Sequence, residues 1–340
     1  VLGKLPFLVK GLTISERTAK LQEEVLNTTS LWGETDFGAF DSTVGLEYRE
    51  IEWEMIKDYL DTTEQLAYIV LICCTILQHV LLDKKKDELG FLEVHSMRYS
   101  GEPLTSIGNG LINEFVGWSC PPEMHENPIA SQEELDNGIC PVRGLREGDD
   151  GFTGAHSKVR LDDWGLQLGF NLDVDWYTDF RAVKFCGRYL SGDFNDKLVS
   201  VCDVRRTLDK LHLVMGVTHQ DKRALLRSKL LAAWNLDGHT PMVATIVWAL
   251  WPSVADAKVI TAKPDKHKTK LAGTDNVPGC TPPSIRDVDY NCLVYQGICP
   301  EAARRHDRNV VKAALLRQPL PRFDFGLSTA KVPLLAVSGV

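Results

Sequence analysis

The 340-residue chain has no Cys-x-x-Cys pair, no apolar run long enough to span a bilayer, no internal repeat and no low-complexity block. Each absence removes a class of protein. Nine cysteines, an odd number with no CxxC pair, argue for reduced thiols in an intracellular compartment rather than a disulfide framework. Cys280, Cys292 and Cys299 precede His306, but their spacing matches no standard zinc pattern, so free or buried thiols are expected. The most apolar run, Leu66–Leu77, has twelve residues, where a membrane span needs roughly 20. Gln65, Gln78 and His79 flank it, and a buried core helix is expected. No signal peptide is visible, and the chain opens on Val1 without a methionine, in a segment that reads as mid-domain. The expectation is a longer protein, truncated here at its N-terminal side.

What is present suits a globular protein. The composition is 44% hydrophobic and 25% charged, with 8 Trp, 8 Tyr and 12 Phe, enough for a large core or two to three subdomains. Net charge is −8, which by itself disfavours a nucleic-acid partner, yet the charge is uneven. Residues 1–170 carry 14 Lys and Arg against 29 Asp and Glu; residues 171–340 carry 24 against 17. An acidic half that binds metal beside a basic half that tracks phosphates fits this asymmetry. Two solvated faces of opposite sign fit it equally.

Periodicity predicts a helix from Thr13 or Ser15 through Val25, a strand running into a turn over 35–41, and an amphipathic helix over Leu46–Leu60. In that helix Ile51, Met55, Ile56, Tyr59 and Leu60 share the apolar face. The apolar helix follows at 64–82, then a charged linker, a strand at Phe91–Met97 and a helix at 104–118. Helix is expected again at Leu161–Leu168 and a strand at Val183–Leu190. Beyond 203 the chain turns basic and helical, at Val204–Val214, Lys222–Trp234, Pro241–Trp251, 286–297 and 300–317.

Gly148-Asp149-Asp150 offers two adjacent carboxylates on a glycine-led tight turn, a hard oxygen site for Mg²⁺ or Mn²⁺. Short acidic turns are common, and most are solvated loops. Upstream, Asp36 and Asp41 stand at the end of a strand and in the turn after it. One can face a metal and the other whatever binds beside it, although Asp41-Ser42 also suits a plain helix cap. Ser100-Gly101 leads to Thr105 and Asn109, which at i, i+4 project from one helix face. A hydroxyl and a carboxamide together can read a donor and acceptor such as a ribose 2′-OH. A serine-glycine turn ahead of two unremarkable polar residues is the structural alternative.

As an ordered set, Asp-x4-Asp, then SG-x3-T-x3-N, then GDD, the chain resembles a viral RNA-dependent RNA polymerase. Phe185-Cys186-Gly187-Arg188 looks like the primer-grip motif E. Lys10-Gly11 and Val204-Arg205-Arg206 with Lys210-Leu211-His212 are similar to the nodavirus and tombusvirus-like positive-strand RNA viruses. The resemblance covers about residues 8–215 and implies an α+β fold. That fold is a right hand with an RRM-like antiparallel palm sheet packed on helices, partial fingers and a helical thumb. It implies a fingers remnant at 1–30, a palm at 31–200 with a fingers insertion at about 61–98, and a thumb at 201–340.

The resemblance also implies roles. Asp36 and Asp149 would bridge two Mg²⁺ or Mn²⁺ ions and Asp150 would assist one, while Asp41, Ser100, Gly101, Thr105 and Asn109 hold the ribose. Phe185, Cys186 and Gly187 would present the primer end, and Lys184 or Arg181 would protonate pyrophosphate. Partners would be template RNA, nascent RNA, nucleoside triphosphates and other replicase proteins. The setting would be the host cytoplasm, in a replication complex attached to membrane through regions outside this chain. The strand before GDD, Val142–Glu147, is more polar than the family usually shows, which puts its burial in question. The basic motif F has no match and is expected upstream of Val1. A catalytically incomplete RNA-binding protein is the alternative of another class. A reverse transcriptase is disfavoured by the glycine before the aspartate pair and by Asp41 with Asn109.

Overall fold

The computed structural model describes residues 5–82, 90–95, 98, 105–193, 197–211, 222–257 and 276–325. They fall in two compact units, Val1–Cys186 and Gly187–Val340.

The first unit is built on a four-stranded antiparallel sheet. Helix α1, Ile14–Leu21, starts at a Thr13–Glu16 capping box, so the expected threonine cap is present. Strand β1, Leu31–Gly38, leads through a single turn, α2 (Phe40–Thr43), to α3 (Leu46–Ile56) and α4 (Thr62–Ile76). A hairpin follows, of β2 (Leu77–Leu82) and β3 (Gly90–His95). Next come α5 (Thr105–Trp118), α6 (Pro128–Asp136), the hairpin β4 (Arg143–Glu147) and β5 (Asp150–Ala155), then α7 (Leu161–Gln167) and β6 (Asn171–Tyr177). Strand order is β4-β5-β1-β6. This mixture of helix and antiparallel sheet is an α+β arrangement.

One face of the sheet is closed by α5 and α7. Phe37, Ile112, Val116, Leu161, Phe170, Leu172 and Trp176 are buried there in one cluster. Phe37 stacks on Phe40 at 4.1 Å and meets Phe170 edge-on at 5.8 Å. Each such ring stabilises by about 1.5–3 kcal/mol through burial.

In this unit three expectations change. Strand β4 is buried despite its polar sequence. Arg146 is fully buried, its Nη1 donates to Thr153 Oγ1 at 2.7 Å, and its Nε lies 3.2 Å from Glu114 Oε2. The strand's outer edge is closed by the main chain around Leu8: Arg146 N–H donates to Phe7 O at 2.7 Å, and Val9 N–H to Arg146 O at 3.2 Å. Helix α3 does not bury an apolar stripe through Tyr59; it buries Arg49, Glu52 and Ile56, and Tyr59 is exposed in the 3-10 turn that follows. Helix α4 is not a buried core helix. It ends at Ile76, and Leu66, Ile69 and Val70 are exposed. Runs of apolar residues fix neither length nor burial when a short helix hands over directly to a strand.

The second unit opens with a hairpin of β7 (Arg188–Ser191) and β8 (Val199–Cys202). Helices α8 (Val204–Leu211), α9 (Lys222–Asp237), α10 (Val243–Leu250), α11 (Asp287–Cys292) and α12 (Pro300–Leu315) follow. Val204, Leu230, Met242, Val247, Leu293 and Ala303 form its core. The strand expected at 183–190 is instead a 3-10 turn at Phe180–Ala182, an extended stretch and then β7. The segment expected as helix at 286–297 breaks after Cys292 into a 3-10 turn. Cys73, Cys120, Cys140, Cys186, Cys202, Cys280, Cys292 and Cys299 form no disulfide, and Cys292 is buried and donates through Sγ to Leu190 O at 3.1 Å. No described helix is long and apolar enough to cross a membrane.

Candidate active site

The β4–β5 turn is as tight as the sequence implies. Glu147 and Asp150 form the closing pair, so Gly148 and Asp149 are the two loop residues. Gly148 sits at φ 69° while Asp149 is not in the left-handed region. This is the pattern of a II′ hairpin, which places glycine first because only it tolerates that conformation without strain. Asn113 of α5 holds the loop from below: its Nδ2 donates to Asp149 O at 3.0 Å and Gly148 O at 3.4 Å. Gly151 is needed for a different reason. A Cβ there would stand 2.1 Å from Thr35 Oγ1 and 2.9 Å from Arg146 Nη1.

Register brings the acidic residues together. Thr35 pairs with Gly151 and Asp36 with Asp173, so the next step along β1 and β5 sets Asp36 opposite Asp150. Glu147, Asp150, Asp36 and Asp173 therefore form one row across β4, β5, β1 and β6. Cross-strand partners project to the same face. Asp36, Asp149 and Asp150 are all exposed. Among the described residues no group of three or more His, Cys, Asp or Glu side chains is gathered so as to hold a metal ion.

Beside the row lies an open cleft of about 460 Å³. Ala39, Asp41 and Ser42 line it from the turn after β1; Thr105, Ser106 and Asn109 line it from α5; Gly148 and Asp149 close it. Ala39 is left-handed at φ 53° and starts the single turn that carries Asp41. Asp41 is not the cap of the next helix, where Gly45 holds the N-cap position. Its Oδ1 instead accepts from Asn109 Nδ2 at 2.6 Å. Thr105 and Asn109 do share a helix face toward the cleft, as their spacing implies. Ser100 and Gly101 lie outside the described residues.

Of the remaining expected residues, Phe185, Cys186 and Lys184 touch side chains of the sheet. Phe185 meets Phe152 edge-on at 6.3 Å. Cys186, left-handed at φ 52°, donates through Sγ to Glu147 Oε2 at 3.5 Å. Burial pushes its thiol well up, and the carboxylates of Glu147 and Asp150 add to this. Gly187 follows at φ 70°, the first residue of the second unit. Glu147 is also paired with Arg17. Lys184 donates its backbone N–H to Glu34 Oε2 at 3.2 Å. Arg181 is bound to Asp179, with Nη2 to Oδ2 at 2.7 Å and Nε to Oδ1 at 2.9 Å.

Several participants are not legible in the motifs. Glu34 lies one turn of the pleat behind Asp36, with a pKa raised to about 7 chiefly by burial. The N–H and charge of Lys184 oppose that shift, and Asp175 and Asp150 reinforce it. Asn113 follows Asn109 by four residues, a helical repeat that could have flagged it. Arg98, buried against Asn109, carries no local signal at all.

No protein-family model matches the chain. The chain is 30% identical to the RNA-directed RNA polymerase of Pariacoto virus over 154 residues, 44% of this chain and 15% of that protein. It is 29% identical to the RNA-directed RNA polymerase of Atlantic halibut nervous necrosis virus over 215 residues, 62% of this chain and 20% of that protein. The chain thus spans about a fifth or less of the length of these curated relatives. Both are nodavirus proteins, so the resemblance to viral RNA-directed RNA polymerases rests on similarity along the chain as well as on motif order.

Proposed function

We propose that this chain is the catalytic palm and adjoining thumb of a viral RNA-directed RNA polymerase, adding nucleoside triphosphates to a nascent RNA on an RNA template. The observation that carries the reading is the Asp41–Asn109 hydrogen bond at the wall of a cleft closed by the Gly148-Asp149 turn. A carboxylate and a carboxamide bonded this way keep one carboxylate oxygen and one amide hydrogen for a ligand. That pair matches a 2′-hydroxyl, which donates and accepts at once. It also favours ribonucleotides over the deoxynucleotides of a reverse transcriptase.

Divalent metal suits the donor set. Asp36, Asp149 and Asp150 are oxygen-only and exposed, and they share the sheet tip without forming a closed cage. A cation that keeps several waters and shares its ligands with a phosphate needs such a site. Bound there, two Mg²⁺ or Mn²⁺ ions would supply charge neutralisation for the attacking 3′-oxygen and the leaving pyrophosphate. Everything else falls to the chain. Asp36 and Asp149 would hold the ions with help from Asp150, and Asp41 and Asn109 would orient the sugar. Asn113 would keep the turn from tilting. Lys184, whose charge acts on Glu34, would serve as proton donor in preference to Arg181, which is bound to Asp179.

In this reading the first unit is the palm with part of the fingers, and the helical second unit is the thumb, whose basic residues would follow the RNA backbone. Phe185, Cys186 and Gly187 would carry the primer end. Template RNA, nascent RNA and other replicase proteins would be the partners.

The test is extension of an RNA primer–template by the full-length protein with Mg²⁺. Wild type should incorporate ribonucleotides, and Asp149→Ala should lose incorporation while keeping its thermal transition. RNA binding with no metal-dependent synthesis by the full-length wild type would instead favour a catalytically incomplete RNA-binding protein.

A further inference from the structure

We propose that Arg98 is a positioning residue for sugar selection: it locks the Asn109 carboxamide in one orientation and is itself held by Glu52. The inference rests on the ribose-recognition reading above.

Arg98 is only 2% exposed. Its Nη1 donates to Asn109 Oδ1 at 2.6 Å, and its Nη2 pairs with Glu52 Oε1 of α3. Glu52 Oε2 in turn accepts from Tyr68 of α4 at 3.3 Å. The guanidinium lies against the backbone of α5 at Gly108, where a Cβ would come 2.5 Å from Nη2. A glycine at this point of the helix is what lets the group reach Asn109.

The chemistry of the three groups fixes the amide. Arginine only donates and an ionised aspartate only accepts, so Asn109 must turn Oδ1 to Arg98 and Nδ2 to Asp41. The flipped amide would set NH₂ against guanidinium and carbonyl against carboxylate, losing both charge-assisted bonds. With both held, the second amide hydrogen has one direction open to it. Deprived of Arg98, the carboxamide can rotate, and its contribution to reading a 2′-hydroxyl is averaged away. Removal of one well-placed hydrogen bond corresponds to about a tenfold loss of discrimination.

Two variants test this. Arg98→Lys keeps a charge for Glu52 but lacks the planar fork that spans both partners. The paired variant Arg98→Met with Glu52→Leu removes both partners of that ion pair together, so neither is left facing the site of the other. The readout is the ratio of kcat/KM for ATP and 2′-deoxy-ATP on an RNA template with the full-length protein. Asn-selective ¹⁵N labelling reads the Asn109 side-chain amide directly, and the ratio of equilibrium affinities for the same two nucleotides is measured in parallel.

Both variants should keep a cooperative thermal transition, lower the ATP preference about tenfold and move the Asn109 amide resonances. A folded variant with the wild-type ratio and an unmoved Asn109 amide overturns the proposal while leaving the ribose reading intact. Equal affinity and equal use of ATP and 2′-deoxy-ATP by wild type overturns the ribose reading, and this inference with it.

Discussion

Replacing Gly151 by alanine probes the packing behind the acidic turn. The new methyl would meet Thr35 Oγ1 at 2.1 Å and Arg146 Nη1 at 2.9 Å. Neither neighbour can retreat freely: Thr35 is 3% exposed, and Arg146 is fully buried between Thr153 and Glu114. Overpacking of this kind costs about 1–3 kcal/mol. In a unit of this size each 1 kcal/mol lowers the melting temperature by about 2–4 °C. The expected fall is therefore roughly 2–12 °C. Thr35→Ala removes the oxygen in the way, and that oxygen is a buried hydroxyl with no hydrogen-bond partner among the described residues. The double variant should recover about 1–2 kcal/mol of the loss, as coupled neighbours do. Urea denaturation of the four proteins closes the cycle. A Gly151→Ala protein as stable as wild type, or a double variant no better than the single, would refute the close β1–β5 approach on which the Asp36–Asp150 pairing depends.

Other consequences follow from the same geometry. Glu34, held at about 7 against an ordinary 4.5, keeps a proton in the folded chain that the unfolded chain has already released. Stability should thus fall as pH rises between those values and level off above about 7, by at most about 3 kcal/mol. In metal-free buffer Glu34→Gln should flatten that slope; an unchanged slope would contradict the burial of Glu34. Asn113→Ala leaves two turn carbonyls without their side-chain donor and should cost about 1–2 kcal/mol in urea denaturation, a loss that Asn113→Asp should not repair. Asp41→Ala should reduce preference for ATP over 2′-deoxy-ATP by about tenfold or more, and an unaltered ratio would detach Asp41 from the sugar.

Legibility in the sequence followed the range of the interaction. The Gly148–Asp150 turn was readable because a glycine at positive φ and two carboxylates are local facts. The Thr13 capping box and the shared face of Thr105 and Asn109 were readable for the same reason. Buried ion pairs were not. Arg146 looks like a surface residue until Glu114 from a different element is brought 3.2 Å away, and Arg98 until Asn109 and Glu52 enclose it. Strand β6 was missed although Leu172, Val174 and Trp176 alternate, because charged residues at 173 and 175 dilute the apolar signal. Those two acids are on the sheet face that carries Asp36. Helix α4 erred in the other direction: Leu66, Ile69 and Val70 spell a core and stand exposed.

In the proposed polymerase, the carboxylates at the tip of β1 and in the β4–β5 turn would hold the metals for nucleotide addition. The most direct measurement is Mg²⁺-dependent ribonucleotide incorporation on an RNA template by the full-length protein and three asparagine variants. Asp36→Asn and Asp149→Asn should each lose at least about a hundredfold in rate with stability preserved. Asp162→Asn, a carboxylate on α7 outside the row, should incorporate like wild type. Incorporation by Asp149→Asn at the wild-type rate would show that the β4–β5 turn holds no catalytic metal.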